Sequence, residues 1–377
     1  MTKHTFIATT AFGIEKVTKI ELEKLGFDNL KTTDGKIEFE GDFSDMIRAN
    51  LWLRSSERVL WKIKEFPAIT FEDLFQGMKS IEWENIIPEK AQFIVNAKSV
   101  KSQLFSLRSC QSIGKKAIAE RLMNKYEKEW LEESQEIYKI IISILKDTVT
   151  VSLDTSGVGL HKRGYRTESA EAPLRETLAA SIILLSFWSE KRLLLDPMCG
   201  SGTIPIEAAL IGRNIAPGLK REFLSESWKI IPEDLWRKER LKAYDLANKA
   251  ELNILGSDYD KRSIDIAQNN ARRAGVEDCI KFEHKKVDDL WIDQQYGIVI
   301  TNPPYGLRLG NFEEINLTYI SFNKIFKKKT GWSIYVLSAD KKFPDYFKRS
   351  KPDRIRKLYN GKIETNLYQY YGDKPSN

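Results

Sequence analysis

Short apolar runs alternate with amphipathic stretches through the second half of this 377-residue chain. The apolar runs have the length of buried β-strands, and the stretches between them repeat apolar positions at helical spacing. Strands that alternate with helices imply an α/β fold with a mostly parallel sheet. The predicted strands are 193–196, 252–257, 279–283, 296–301 and 332–338, the predicted helices are 203–212, 261–274 and 313–328, and strands 356–360 and 364–370 form an antiparallel edge.

The first half of the chain has a different order of elements, which suggests a small ferredoxin-like domain followed by a second α+β module. The first unit has predicted strands at 5–8, 36–39 and 59–63 and helices at 13–25 and 43–51. The second has strands at 92–97, 136–144 and 148–153 and a helix at 109–126, and the polar segment 161–172 is a predicted linker. We therefore predict three domains, at residues 1–65, 66–166 and 167–377.

A glycine-rich turn follows the predicted strand 193–196 and leads into a helix. Glycine allows positive φ and close backbone approach to a ligand, and the helix presents free N–H groups toward a carboxylate. The turn matches neither a P-loop nor G-x-G-x-x-G, and an acidic residue before it suits a cationic ligand better than a phosphate. The candidate ligand-binding residues are Asp196, Pro197, Met198, Cys199, Gly200, Ser201, Gly202 and Thr203.

A second acidic residue, Asp258, ends the predicted strand 252–257 and is followed by Tyr259. In nucleotide-binding α/β folds an acid at this place binds ribose hydroxyls. The alternative is that Asp258 caps the helix that begins near Lys261. Because the motifs occur in the expected order, we predict the ribose role for Asp258, with Tyr259 beside it.

The segment Asn302-Pro303-Pro304-Tyr305 follows a buried apolar strand. Two prolines cannot continue a sheet, so the chain must turn at the strand's carboxyl end, where open α/β sheets place their chemistry. The Asn302 amide oxygen and the Pro303 carbonyl can accept both hydrogens of an exocyclic amine, and Tyr305 can stack on the ring. A simple strand-ending turn is the alternative for this segment alone, and the glycine-rich turn about a hundred residues upstream favours the catalytic interpretation.

With these motifs the chain resembles the class I S-adenosylmethionine-dependent methyltransferases, in particular the THUMP-containing RNA methyltransferases of the RlmL/YpsC type. Five segments carry the resemblance and cover nearly the whole chain: 160–166, 172–180, 196–203, 302–306 and 356–361. It implies a Rossmann-like catalytic domain preceded by a ferredoxin-like domain and a THUMP RNA-binding domain, with S-adenosylmethionine as cofactor. It also implies methylation of guanosine N2 in 23S ribosomal RNA. A transfer-RNA guanine-N2 methyltransferase is the closest rival. A DNA adenine-N6 methyltransferase and a non-enzymatic RNA-binding protein fit less well.

Basic residues give candidate RNA contacts. The net charge is +7, and residues 320–362 hold 13 Lys and Arg against 3 Asp and Glu, with aromatic residues between them. Such a surface suits phosphate contact beside base stacking, although charge runs are usually solvated helix faces. The candidates are Lys115, Lys116 and Arg121 on the THUMP helix, His161, Lys162, Arg163 and Arg166 near the linker, and Arg308, Arg356 and Lys357 in the catalytic domain. For the THUMP residues and for Arg308, ordinary surface roles are equally open.

The chain departs from the class pattern after strand 279–283, where an acidic residue commonly contacts the adenine of the cofactor. Lys285 and Lys286 stand there, so we assign this contact to Asp288 or Asp289. Residues 214–250 interrupt the alternation of strands and helices, and we predict an insertion that packs over the cofactor side. With three cysteines and three histidines, we expect no disulfide framework and no metal. We expect no membrane segment, a cytoplasmic location and RNA as the partner.

Overall fold

The computed structural model describes residues 3–166, 174–304 and 312–373, and for the first turn of the helix at 312 it describes the backbone alone. Two seven-stranded sheets dominate these residues, one in each half of the chain. Over these ranges no helix is long and apolar enough to span a membrane.

The N-terminal sheet has the strand order β2-β3-β1-β4-β7-β6-β5. Its first four strands alternate with helices in the ferredoxin-like order, which confirms the predicted fold class. The long strand β4 pairs with β1 on one side and with β7 on the other, so both N-terminal units share one continuous sheet. The elements are β1 (His4–Thr10), α1 (Glu15–Lys24), β2 (Lys31–Thr33), β3 (Lys36–Gly41), α2 (Phe43–Trp52), β4 (Ser56–Pro67), α3 (Phe71–Lys79), β5 (Gln92–Val100), α4 (Leu107–Tyr126), β6 (Ile137–Leu145) and β7 (Thr148–Asp154).

The C-terminal sheet has the order β10-β9-β8-β11-β12-β14-β13. Five strands are parallel, and the last two form the predicted antiparallel edge. Three of the parallel strands, β8, β11 and β12, are completely buried, as expected for a sheet with helices on both faces. The elements are α5 (Glu176–Leu185), β8 (Leu194–Asp196), α6 (Thr203–Gly212), α7 (Leu235–Asp245), β9 (Ile254–Asp258), α8 (Lys261–Ala274), β10 (Ile280–His284), β11 (Ile298–Thr301), α9 (Phe312–Phe326), β12 (Ser333–Ser338), α10 (Phe343–Tyr346), β13 (Arg354–Asn360) and β14 (Ile363–Tyr370).

The segment 214–250 does not pack as predicted. Its apolar side chains join the hydrophobic core of the N-terminal sheet instead of covering the cofactor side. Trp228 stacks on Tyr138 of β6 with ring centroids 4.9 Å apart, and its indole nitrogen donates to the Ile137 carbonyl at 2.9 Å. Helix α7 lies beside α2, where Ser44 donates to Glu239 at 2.8 Å. The insertion therefore fastens the catalytic domain to the N-terminal half.

Candidate active site

The strand order places the three sequence motifs at one edge of the C-terminal sheet. β8 lies between β9 and β11, and all three run parallel, so their carboxyl ends meet. Asp196 ends β8, Asp258 ends β9, and Asn302 follows the last residue of β11. The Thr301 hydroxyl donates a hydrogen bond to Asp196 at 2.7 Å, and both residues are buried. This bond ties the predicted amine-binding turn to the predicted cofactor turn.

The glycine-rich turn packs against the protein on one side and borders open space on the other. Gly200 and Gly202 have φ of +51° and +81°, which glycine adopts without strain. The Gly200 N–H donates to the Asp258 carboxylate at 2.8 Å, whereas a Cβ at Gly200 would meet open space. A Cβ at Gly202 would lie 2.9 Å from the Cβ of Ala267. Gly202 is therefore required for packing, and Gly200 leaves room where a ligand would lie.

Three residues that support this turn were missed by the sequence analysis. Thr301 is one of them. The Asn270 amide donates to the Ser201 carbonyl at 3.1 Å from the buried face of α8, and a Cβ at Gly256 would lie 3.2 Å from Cys199 Sγ. A polar residue on the buried face of an amphipathic helix and a glycine inside a strand are signals that could have indicated them. Thr301 and Asn270 are both buried, so they support the turn from within the protein.

Asp196 is an unusual acid because it is completely enclosed. Burial raises its pKa to about 7, against the lowering effect of its hydrogen bonds from Thr301 and from the Met198 N–H. Burial also raises the pKa of the Cys199 thiol well above its ordinary value, which favours the neutral thiol. A carboxylate that titrates near neutrality, next to an open turn, responds strongly to the charge of a ligand.

We expect the affinity for S-adenosylmethionine to fall as the pH drops through about 7. Below that pH the folded, ligand-free protein holds Asp196 protonated, and the neutral carboxyl no longer attracts a cation. If binding requires the carboxylate, affinity should fall about tenfold between roughly pH 8 and pH 6. Calorimetric titration across this range measures the effect. Asp196→Asn should bind weakly with a flat profile, and an equally flat wild-type profile would contradict the prediction.

Asp258 is not the cap of the next helix. The N-cap of α8 is Asp260, whose side chain accepts from the N–H groups of Arg262 and Ser263. The Asp258 carboxylate instead accepts from the N–H groups of Gly200 and Asp260, at 2.8 and 3.0 Å. Burial raises its pKa against these bonds. Because Asp258 does not cap α8, the ribose role remains the prediction for this residue. Asp258 also holds the glycine-rich turn through its bond with Gly200.

Removing this carboxylate should weaken cofactor binding. Asp258→Ala loses the Gly200 bond and the predicted ribose contact, and hydrogen bonds to a charged group justify a loss of about 10- to 100-fold in affinity for S-adenosylhomocysteine. Calorimetric titration gives the number. Asp265→Ala removes an exposed acid from the neighbouring helix α8 and should bind normally. Equal affinities for the two variants would argue against the ribose role.

The predicted adenine contacts lie in a single helical turn after β10, at Val287–Asp289. Asp288 accepts a hydrogen bond from the Ser321 hydroxyl of α9 at 2.7 Å, and the Asp289 N–H donates to the Lys286 carbonyl at 3.1 Å. Both side chains are exposed. The adenine role of either residue stays a prediction.

A tyrosine of helix α9 holds the proline turn after β11. The Tyr319 hydroxyl of α9 lies 3.4 Å from the Pro304 carbonyl oxygen, to which it donates, and 3.2 Å from the Ser338 hydroxyl. Tyr319 is buried, and burial raises its pKa to about 12, so it remains a neutral donor. Asn302 is half-buried at the same edge. Tyr305 and Arg308 lie outside the described residues, so their predicted roles stay predictions.

The candidate RNA contacts on the THUMP helix all have acidic partners. Lys115 pairs with Glu133 at 2.9 Å and Lys116 with Glu120 at 3.7 Å. Arg121 binds Glu84 through two nitrogens, at 2.9 and 2.6 Å. Each of the three cations therefore has an acidic neighbour within the protein. Their RNA role stays a prediction, and the alternative of ordinary surface residues fits the pairs as well.

Arg163 is a correction to the predicted RNA surface, whereas the RNA role of Arg166 stays a prediction. Arg163 is 3% exposed and donates to the carbonyls of Leu160 and Arg54, with Glu207 of α6 at 3.5 Å. Arg166 donates to Thr203 and pairs with Glu176 at 3.5 Å. Arg163 is buried between the N-terminal half and the catalytic domain and cannot reach a phosphate from there.

The remaining candidate cations differ in their surroundings. His161 lies 3.3 Å from Glu57, and Lys162 is exposed. On the edge strand β13, Lys357 pairs with Glu364 at 2.7 Å, and burial beside Arg354 lowers the pKa of Arg356. Lys162 and Lys357 are accessible to a polyanion, and the RNA role of these residues stays a prediction.

The described residues fit an adenosyl cofactor with a positive charge. Two buried carboxylates end adjacent strands, a glycine-rich turn with open space lies between them, and an amide side chain follows on the next strand. This arrangement on a parallel α/β sheet defines a class I S-adenosylmethionine-dependent methyltransferase.

Comparison with known proteins identifies the family. Residues 163–369 match the family described as RMKL-like, methyltransferase domain, residues 5–60 match the RlmL ferredoxin-like domain, and residues 68–154 match the THUMP domain. The chain therefore belongs to the THUMP-containing RNA methyltransferases of the RlmL/YpsC type, which confirms the resemblance. The exact domain limits predicted from the sequence stay predictions.

Two curated relatives and one solved structure show the extent of the similarity. "Putative RNA methyltransferase YpsC" of Bacillus subtilis (strain 168) is 46% identical over 98% of this chain and 97% of its own length. The ribosomal RNA large subunit methyltransferase K/L of Psychromonas ingrahamii is 35% identical over 97% of this chain, which spans 50% of that protein. A crystal structure of "a putative methyltransferase complexed with SAH" is 42% identical, covers 100% of both chains and has a TM-score of 0.93. The chain is thus an RNA methyltransferase of the RlmK/L type that uses S-adenosylmethionine.

Proposed function

We propose that this protein methylates the exocyclic N2 amine of a guanosine in 23S ribosomal RNA. The observation that carries the proposal is the hydrogen bond from Thr301 to Asp196, which couples the Asn302 turn to the cofactor turn at 2.7 Å. Through this bond the residue that would hold the amine and the loop that would hold the cofactor share one rigid position. Such alignment accounts for much of the rate of a displacement reaction.

In this reaction the main task of the protein is to align the amine with the methyl group. Bound S-adenosylmethionine supplies a methyl group that its sulfonium already activates. Asn302 and the Pro303 carbonyl would accept the two amine hydrogens, and this directs the nitrogen lone pair and stabilises the positive charge that develops on nitrogen. Tyr319 fixes the Pro304 carbonyl, so the turn keeps its shape. The amine proton is acidic after transfer and leaves to water, so no dedicated base is needed.

The choice of RNA rests on the N-terminal half. A base inside a duplex cannot reach the cofactor, so the substrate must offer a loop or a flipped nucleotide. A THUMP domain fused through one sheet to a ferredoxin-like unit supports structured RNA as the substrate, and the ribosomal RNA named for one relative supports 23S RNA. The same chemistry would serve a transfer RNA or an adenine in DNA.

Methyl transfer to separated substrates tests this proposal. Labelled S-adenosylmethionine is incubated with 23S ribosomal RNA, transfer RNA or duplex DNA, and the nucleosides are then identified. N2-methylguanosine from 23S RNA supports the proposal. N2-methylguanosine from transfer RNA alone would keep the chemistry and change the substrate, and N6-methyladenine from DNA alone would overturn both.

A further inference from the structure

A cavity of about 530 Å³ lies where the N-terminal unit meets the catalytic domain. It is separate from the Asp196 and Asn302 region, since neither residue lines it. Its wall includes Phe12, Glu57, Arg175, Thr177, Tyr359 and Gly361. We name it the interdomain cleft. Its volume is within the range of small-molecule sites.

The interdomain cleft lies at the same edge of the sheet as Asn302. In the register of β12 and β14, Ser338 at the carboxyl end of β12 pairs with Asn366. The strand β14 begins three residues before that, at Ile363, and turns back to β13 at Asn360. The hairpin that carries Tyr359 and Gly361 therefore extends past the end of β12 on the active-site side. The cleft and Asn302 therefore lie on the same side of the sheet.

The polar wall of the cleft suits a neutral donor. Glu57 accepts from the Thr177 hydroxyl at 2.8 Å, and its other oxygen lies 3.3 Å from both Arg175 and His161. A carboxylate has about four acceptor positions, so these three contacts leave one for a ligand N–H. Burial raises the pKa of Glu57, but the bonds from His161 and Thr177 and the charge of Arg175 bring it below its ordinary value. An ionised carboxylate at the wall disfavours a phosphate and favours the N–H edge of a base.

The wall of the cleft also offers an aromatic face. Phe12 is 59% exposed, although it belongs to the turn after a buried strand. Its ring rests against Gly35, where a Cβ would lie 3.8 Å away. Proteins hold unpaired bases by stacking them on aromatic rings and by hydrogen bonding to the edges of the bases. The exposed phenyl ring can supply the first contact, and the guanidinium and carboxylate groups can supply the second.

We propose that the interdomain cleft binds an unpaired nucleobase of the RNA other than the target, through Phe12 and the Glu57–Arg175 pair. This inference rests on the proposed RNA substrate and extends it to a second, non-reacting base. Phe12 supplies the stacking face, Glu57 accepts from the base edge, and Arg175 donates to a base carbonyl or ring nitrogen. A site that holds a second base would favour substrates in which another nucleotide besides the target is unpaired.

Photo-cross-linking tests the cleft independently of catalysis. The probe is a single-stranded RNA 12-mer with 4-thiouridine at each uridine, added to the full-length protein with S-adenosylhomocysteine and mapped by peptide mass spectrometry. We expect adducts on the peptides that contain Phe12 or Tyr359, reduced at least about fivefold by Phe12→Ala and retained by Phe12→Trp. Phe187→Ala removes another exposed ring beyond the far end of α5 and should cross-link like the wild type.

Two outcomes would overturn the inference. One is the absence of adducts on these peptides while other peptides are labelled, and the other is equal labelling of the wild type and Phe12→Ala. A thermal unfolding measurement on Phe12→Ala serves as the control that this variant is folded. Cross-links at the cleft without N2-methylguanosine in the transfer assay would contradict the proposed reaction and still support base binding in the cleft. The failure of one proposal can therefore be told from the failure of the other.

Discussion

Replacement of Asn302 by alanine should lower kcat for methyl transfer by about 10²- to 10³-fold, the usual cost of losing one group that stabilises developing charge. The amide oxygen that would orient the amine is lost, while Asp196, Asp258 and the glycine-rich turn are untouched. Affinity for S-adenosylhomocysteine should therefore stay within about twofold of the wild type. Single-turnover transfer to RNA and calorimetric titration measure the two quantities.

Asn253→Ala provides the matched control. It removes the same side chain from an exposed position just before β9, at the opposite end of the sheet. Its kcat and cofactor affinity should equal those of the wild type. A loss of cofactor binding in Asn302→Ala, in proportion to its loss of rate, would mean that Asn302 supports the cofactor site and not the amine.

Arg163→Met should destabilise the protein by about 3–5 kcal/mol, because it removes the cation that pairs with the buried Glu207 carboxylate and leaves Arg54 as the remaining buried cation near it. The Glu207 side chain is fully buried, with Arg163 at 3.5 Å and the Tyr165 hydroxyl at 3.1 Å. The same substitution also frees the Arg54 and Leu160 carbonyls that Arg163 binds. The midpoint of urea unfolding measures the loss.

Two further variants separate the buried charge from the loss of side-chain volume. Arg237→Met removes an exposed arginine from α7 and should change stability by less than about 0.5 kcal/mol. The double variant Arg163→Met with Glu207→Leu removes both charges and should recover part of the stability. A single Arg163→Met variant as stable as the wild type would show that Glu207 does not depend on Arg163 for its stability.

The elements that the sequence predicted well carry their signals locally. The bounds predicted for α8 coincide with those observed, because Asp260 caps one end and Gly275 adopts φ of +80° at the other. Helix α5 was missed since it is apolar on nearly all sides and shows no amphipathic period. Helix α3 was also missed, although its capping box of Thr70 and Asp73 is visible in the sequence.

In the candidate site, too, the features that could be predicted are those with local sequence signals. The acids and glycines of the two turns are adjacent in sequence to the strands they follow, so their positions could be predicted. The bond between Thr301 and Asp196 joins residues 105 positions apart and requires the strand order. The burial of Arg163 depends on Glu207 in the next domain, so positive charge in the linker was mistaken for an RNA contact.

The shared core of the N-terminal half limits how this protein can be divided. Trp228 and Trp236 come from the catalytic part of the chain, yet their indoles fill the core beneath the first sheet. A chimera that joins this RNA-binding half to another methyltransferase at residue 166 would leave that core open. A working exchange would have to carry residues 214–250 as well. Recombination in this family should therefore respect three-dimensional units that are discontinuous in the gene.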